Sequence, residues 1–238
     1  SGLFRRMQAL VDGLPAPLWI SPEIKVNVAD IRREIVATVL RRRYVKAHLT
    51  DFDNSLGDVG GKSIPRVTSV IDLTEVDRAG ESFPPDKTLR GEIAKATREG
   101  VRVVPLDPAS QLEDFVRLMG ITEQRHGRTP RYSSGFWKEF AALSARDSRF
   151  QMLSVNDGKA LAAVHVYIVD RNTALNWQIC FDKQFSALKP NQAITAHAIR
   201  ALQQAGVRYL NLGATPSDAG GVADYKAKWG GRDYAYRV

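Results

Sequence analysis

The sequence predicts an α/β or α+β domain built on a mixed sheet. Three observations carry this. After residue 79 the elements read helix, strand, helix, helix, three strands, helix, strand, helix, strand, which combines a meander with a crossover helix. Asn156-Asp157-Gly158 sits between two β-rich runs and is a strong hairpin signal. Pro190-Asn191 opens and Gly206 closes an amphipathic run between two strands, as a crossover requires.

From the start, residues 1–27 show no clear period. Leu14-Pro15-Ala16-Pro17 breaks regular structure, and Leu18-Trp19-Ile20 suits a short strand. From Val28, the residues Ile31, Ile35, Val36, Val39 and Leu40 recur at helical spacing. Arg41-Arg42-Arg43 fits the negative end of that helix dipole better than a nucleic-acid patch. Tyr44 to Phe52 reads as a strand, Asp53 to Pro65 as a loop around Gly57 and Gly60-Gly61, and Arg66 to Leu73 as a second strand. Asp77 to Pro85, with Gly80 and Pro84-Pro85, looks like a domain boundary.

A charged helix runs from Asp86 to Glu99, with Gly100 at C′. Val101 to Pro105 is a short strand. A helix follows Asp107, with Leu112, Phe115, Val116 and Met119 on one face, and ends near Arg125-His126-Gly127. Phe136 to Ala145 is another helix. The strands are Phe150–Val155, Ala160–Val169 and Thr173–Phe181. The helix after Pro190 has Ile194, His197, Ala198, Ala201, Leu202 and Ala205 as its apolar face, which makes His197 a core histidine; His165 alternates into a central strand. The chain ends with a strand (Val207 to Leu212), Gly213, a polar loop, a short helix carrying Tyr225, Lys226, Lys228 and Trp229, and a last strand from Asp233 to Val238.

The 238 residues suffice for one large or two small domains with a core, and a 44% hydrophobic, 25% charged composition is that of a globular protein. A net charge of +8 suits an anionic partner without choosing among nucleic acid, a phosphate-rich molecule or an anionic surface. One cysteine, Cys180, excludes an internal disulfide and fits a reducing compartment. It lies in an apolar run and reads as a buried thiol rather than a nucleophile. No apolar stretch has the roughly 18 residues of a membrane span, and no secretory signal is visible, so a cytoplasmic location is expected. The chain begins Ser1-Gly2 rather than with Met, which points to a trimmed start. No His/Cys/Asp/Glu group has metal-ligand spacing, and spacing argues for no nucleophile–His–Asp set.

Four stretches, in order, resemble the FemAB-type branch of the GNAT acyltransferases. Arg90-Gly91-Glu92-Ile93-Ala94-Lys95-Ala96 through Gly100-Val101 resembles its basic helix. Arg125-His126-Gly127 with Pro130, Tyr132 and Ser133 resembles its "R-H-G … P-x-Y-S" segment. Asn156 to Ala162 resembles the hairpin before its central strand. Leu212-Gly213 with Tyr225-Lys226-Ala227-Lys228-Trp229-Gly230 resembles its closing "L-G … F-K-x-x-F-G", with tyrosine in place of the phenylalanine. The resemblance implies an α/β (α+β) GNAT-like fold: a mixed, mostly antiparallel sheet flanked by helices. It makes residues 79–238 a complete acyltransferase domain and residues 1–78 part of a first GNAT-like domain.

The implied activity is transfer of an aminoacyl group from a charged tRNA to an amine of a peptidoglycan-type cell-envelope precursor, with no further cofactor. The other two readings are an N-acyltransferase using acyl-CoA or another thioester, and a catalytically silent GNAT-fold binding module. Acetyl-CoA-dependent GNATs have a glycine-containing pyrophosphate loop before the crossover helix. Here Phe181 to Ala205 contains no glycine, which disfavours close backbone approach to a pyrophosphate.

Acyl transfer to an amine needs a proton taken from the amine, a stabilised oxyanion and a protonated leaving oxygen. The resemblance points to Lys226 as a cation facing the donor, against the reading of a solvated helix lysine. Tyr225 is the matching general-acid candidate, against a core aromatic. Arg90 and Arg98 share a helix face with Ala94 that suits phosphate or a tRNA arm, or plain solvent. Arg125, His126 and Tyr132 are candidates for the acceptor pocket. Asn191 at the crossover-helix start and Gly213 at the strand end complete the expected substrate-binding set.

Overall fold

The computed structural model describes residues 5–9, 28–41, 44–49, 62–215 and 220–237. Near the start, β1 (Arg5–Ala9) pairs in parallel with β2 (Tyr44–Leu49), and α1 (Val28–Arg41) lies between them in sequence. β1 is not among the expected strands, because Arg-Arg-Met-Gln-Ala offers no apolar alternation. The expected strand at Leu18–Ile20 and the glycine loop at Gly57 to Gly61 fall outside the described residues.

A seven-stranded sheet carries the rest. Its strands are β3 (Pro65–Asp72), β4 (Val104–Pro105), β5 (Phe150–Asn156), β6 (Leu161–Asp170), β7 (Thr173–Phe181), β8 (Tyr209–Ala214) and β9 (Arg232–Arg237). They lie in the order β4-β5-β6-β7-β8-β3-β9. Only β7 and β8 pair in parallel within this sheet. This is the mixed, mostly antiparallel sheet expected. β3 sits between β8 and β9 and is antiparallel to both. The sequence reading assigns this strand to a first domain ending at residue 78. Its hydrogen bonds belong to the sheet of residues 104–237, so that boundary does not fall at an edge of the sheet.

The helices are α2 (Leu73–Ala79), α3 (Lys87–Arg98), α4 (Pro108–Arg125), α5 (Ser134–Ser144), α6 (Pro190–Gln204) and α7 (Gly220–Lys228). Asp72, Asp86, Asp107 and Ser133 cap α2 to α5 by accepting from backbone N–H groups of the first turns. The region read as a boundary at Asp77 to Pro85 begins inside α2. A seven-residue helix with two buried apolar side chains, Leu73 and Val76, is too short to show a period. β4 is only two residues long, because the edge strand pairs only with Leu153 and Ser154 of β5.

β6 is buried from Leu161 to Ile168, so both its faces are covered. On one side Val164, Val166 and Ile168 pack with Phe115 and Leu118 of α4 and Trp137 of α5. On the other, Ala163 and Tyr167 pack with Ile194, Ala198 and Leu202 of α6 and with Trp229. The inward face of α6 is Ile194, Thr195, Ala198, Ile199 and Leu202. This corrects the expected face: Thr195 and Ile199 turn inward, while His197 is exposed rather than in the core. Thr195 thereby lies on the inner side near Tyr167 and Tyr225. Cys180 is fully buried, and its thiol donates to the Val164 carbonyl.

Trp137 is the hub of the α4–α5 layer. Its ring meets Phe115 edge-on at 5.0 Å and also contacts Tyr132, Phe140 and Trp177. Trp137→Ala is therefore expected to lower unfolding stability by about 3–5 kcal/mol in urea titration. A loss below about 1 kcal/mol, the range of a surface substitution, would contradict this packing.

Candidate active site

The site is built where two parallel strands part. β7 and β8 pair only from Thr173 to Leu175 against Tyr209 to Asn211. Beyond that, β7 runs on to Phe181 and β8 to Ala214 without further pairing. Two buried asparagines stand at the opening, Asn176 on β7 and Asn211 on β8. Asn211 Oδ1 accepts from Thr68 Oγ1 at 2.6 Å and from the Gly213 N–H at 2.7 Å. Gly213 has φ +82°, a conformation glycine adopts at no steric cost.

Lys226 of α7 reaches this strand end from below. Its side chain is buried, and Nζ donates to the Gly213 carbonyl at 2.6 Å, the Ala214 carbonyl at 3.0 Å and Thr215 Oγ1 at 3.0 Å. An ammonium has three N–H donors, and all three are used. In this conformation Lys226 is buried against the backbone at the end of β8, which the reading as a solvated helix lysine does not describe. Burial pulls its pKa from 10.5 down to about 8, against the opposing pull of Asp233. Gly231 makes the close turn after α7 feasible, since a Cβ there would lie 2.9 Å from the Lys226 carbonyl oxygen.

Behind the opening lies a buried polar chain. His165 of β6 is fully buried, with Nε2 3.0 Å from Asn191 Oδ1 and Nδ1 3.2 Å from the Tyr167 hydroxyl. Asn176 Nδ2 lies 3.4 Å from both His165 Nδ1 and the Tyr167 oxygen. The Asn191 oxygen can only accept, which assigns the proton to Nε2 and makes Nδ1 the acceptor. Burial pulls the His165 pKa from 6.5 to about 4, so the ring is neutral.

Next along the chain of contacts come Thr195 Oγ1, Tyr225 Oη and Trp229 Nε1. All are buried, and none has a partner at hydrogen-bond geometry. Burial pushes the Tyr225 phenol up, against the nearby Thr195 and Trp229 dipoles, which pull it down. Tyr225 therefore stays protonated and lacks a fixed partner for its proton.

The start of α6 differs from an anion cradle. Lys189 precedes it in the left-handed region at φ +55°. The Glu92 carboxylate of α3 accepts from Lys189 Nζ at 2.7 Å and from Gln192 Nε2 at 3.1 Å. The two side-chain donors beside this helix N-terminus, Lys189 Nζ and Gln192 Nε2, are thus engaged by a carboxylate instead of being free to meet a pyrophosphate. Glu92, Gln192 and Tyr225 also line a cleft of about 410 Å3 with Asp224 and Lys228.

The other expected site residues fall in three places. Arg125 lies at the far end of β7: its guanidinium donates to the Phe181 carbonyl at 3.3 Å and sits 4.6 Å from the Phe181 ring centre. His126 caps α4, exposed, its pKa lowered by burial of the ring and by Arg128 and Arg125. Tyr132 stacks on Phe136 at 4.5 Å and packs on Trp137, so it belongs to the aromatic layer. Arg90 donates to the carbonyls of Ser82, Pro84 and Pro85, and with Arg98 it lines a separate groove between α3 and α6. The structure brings together Lys226, Tyr225, Asn191 and Gly213, while Arg90, Arg98 and Tyr132 lie elsewhere. Glu92, Asn176, Thr195 and Asn211 were not singled out from the sequence. Asn176 and Asn211 did leave a signal, as asparagines inside apolar β runs, where they are depleted. Among the described residues no group of three or more His, Cys, Asp or Glu side chains is placed to hold a metal ion, and no helix is long and apolar enough to cross a membrane.

Two titrations follow. The unfolded chain protonates His165 near pH 6.5 and the folded chain only near pH 4, so stability present above pH 6.5 is lost as pH falls toward 4. For Lys226 the unfolded state holds its proton to about pH 10.5 and the folded state releases it near pH 8, so stability rises between those values. Melting curves should show the acid loss shrinking in His165→Gln and the alkaline gain disappearing in Lys226→Met. Variants whose pH profiles run parallel to that of the parent chain would contradict the assigned burial.

The same architecture occurs in solved structures. FemX aligns at a TM-score of 0.59 with 14% identity over 72% of this chain, and the chain spans 61% of that protein. The C-terminal domain of a protein from Agrobacterium fabrum, assigned as a lysylphosphatidylglycerol synthetase, aligns at 0.64 with 13% identity, covering 87% of this chain and 71% of that one. L-PGS from Bacillus licheniformis aligns at 0.61 with 12% identity, covering 86% and 70%. At these identities the likeness is one of fold. A comparison with curated protein sequences found no significant match. The acetyltransferase (GNAT) domain pattern matches residues 86–227, more than half of the sequence and most of the parted-strand site, and the chain belongs to the GNAT acyltransferase family.

Proposed function

We propose that this GNAT acyltransferase moves an aminoacyl group from the ester of a charged tRNA to an amine of a peptidoglycan-type cell-envelope precursor, in the cytoplasm. The observation that carries the donor half is the Glu92 carboxylate beside the start of α6, bound to Lys189 and Gln192. It stands, with no glycine loop, where acetyl-CoA-dependent relatives cradle a pyrophosphate. A tRNA ester is already activated and brings no pyrophosphate to that place. The FemAB-like motifs and the fold shared with FemX and with proteins named as lysylphosphatidylglycerol synthetases support an aminoacyl donor.

The chemistry is a direct displacement. The acceptor nitrogen attacks the ester carbonyl, the new C–N bond forms, and the C–O bond to the ribose breaks. One proton leaves the nitrogen and one reaches the ribose oxygen: the Tyr225 phenol gives the second, and its phenolate takes up the first. Tyr225, kept protonated by burial, supplies the proton to the leaving oxygen. Asn191 has its oxygen held by His165, which leaves its Nδ2 hydrogens to meet the carbonyl oxygen as charge develops. Lys226 holds the strand end in place and adds positive charge beneath it. No covalent intermediate is needed, in keeping with a buried, hydrogen-bonded Cys180.

The test offers the protein labelled aminoacyl-tRNA or labelled acetyl-CoA, each with an amine-bearing peptidoglycan precursor. Label should move from the tRNA and not from acetyl-CoA; the reverse pattern overturns the donor assignment. Tyr225→Phe should lower kcat by roughly 10²–10⁴-fold. Asn191→Ala should lower it by roughly 10²–10³-fold. Full activity in both variants would remove these residues from the reaction, and absence of turnover with either donor would favour a binding module.

A further inference from the structure

A second concavity lies between α3 and α6, away from the parted strands. It encloses about 810 Å3, within the roughly 300–1,000 Å3 usual for small-molecule sites. Its floor is apolar. Trp229 is fully buried, Ile199 nearly so, and Phe83 packs 6.2 Å from the Trp229 ring. Its rim is cationic. Arg98 of α3 and Arg200 of α6 are exposed and line it from opposite helices. Arg90 lines it too, but its guanidinium is taken up by three backbone carbonyls. No carboxylate occurs among the described lining residues, and no ion pair among the described residues engages Arg98 or Arg200.

These features are complementary to one kind of ligand. Two guanidinium groups without counter-ions attract an oxyanion and match its geometry. A trough floored by aromatic and aliphatic side chains gains from covering with apolar surface, which inorganic phosphate does not have. A wholly apolar ligand would leave the arginines unpaired. We propose that the α3–α6 groove binds an amphiphilic anion, with its apolar body on the part-exposed Phe83, Ile93 and Ala196, above the buried Trp229 and Ile199, and its phosphate or carboxylate between Arg98 and Arg200. The site is separate from the acyl-transfer site and does not depend on the donor assigned there. Trp229 is common to both regions, since its ring also meets Tyr225 edge-on at 6.3 Å. Occupancy of the groove should therefore be visible in tryptophan emission.

Dodecyl phosphate below its micelle concentration tests this by titration calorimetry and tryptophan fluorescence. One molecule should bind per chain. Inorganic phosphate and dodecyltrimethylammonium, which lack the tail and the anionic head respectively, should each bind at least roughly tenfold more weakly. The exposed-site double variant Arg98→Glu/Arg200→Glu should weaken dodecyl phosphate by at least roughly tenfold while its melting temperature stays near that of the parent chain. Equal binding of the cationic amphiphile, equal binding of inorganic phosphate, indifference to the double variant, or no binding at all would each overturn the proposal.

Discussion

The site depends on a buried ammonium. Lys226 is 5% exposed, and moving a lysine out of water is costly unless its donors are matched. Two carbonyls and a hydroxyl at the end of β8 provide the match. The arrangement fixes where β8 ends after β7 has left it. β3 supports the same strand from its other side, through Thr68 and the side chain of Asn211. The gap between β7 and β8 is thus held open by polar side chains bonded to one strand, and the sheet does not zip shut across it.

Burial sets protonation in the layer behind. His165 is held neutral, with its Nε2 proton directed to Asn191, while the Tyr225 phenol is kept protonated. These are states suited to donating hydrogen bonds and protons to a developing anion. α3 separates two surfaces of opposite character. Glu92 on one side places negative charge beside the start of α6, and Arg98 on another faces the apolar groove.

Much of the fold was legible because its signals are local. The hairpin at Asn156-Asp157-Gly158, the capped helices and the crossover after Pro190 each leave a pattern within about 15 residues. The place of β3 between β8 and β9 leaves none, because pairing partners about 140 to 170 residues apart have no local signature. Lys226, Tyr225 and Gly213 were singled out from motif order, and Asn191 from its place at the start of the crossover helix. Their arrangement was not legible. That Lys226 would turn to its own strand, that Glu92 would reach Lys189 across 97 residues, and that Thr195 would displace His197 from the inner face of α6 are all outcomes of packing. Arg90 shares the groove-lining face with Arg98, yet its Nη1 is already engaged by three neighbouring carbonyls.

The central claim is that an aminoacyl ester is received in the gap between β7 and β8. Amide NMR with a non-hydrolysable 3′-aminoacylamido-adenosine tests it most directly. Saturable shifts are expected at Asn191, Thr195 and Gly213, with Phe115 and Trp137 on the far side of the sheet unmoved. Shifts confined to the far layer, or none at saturating analogue, would contradict it.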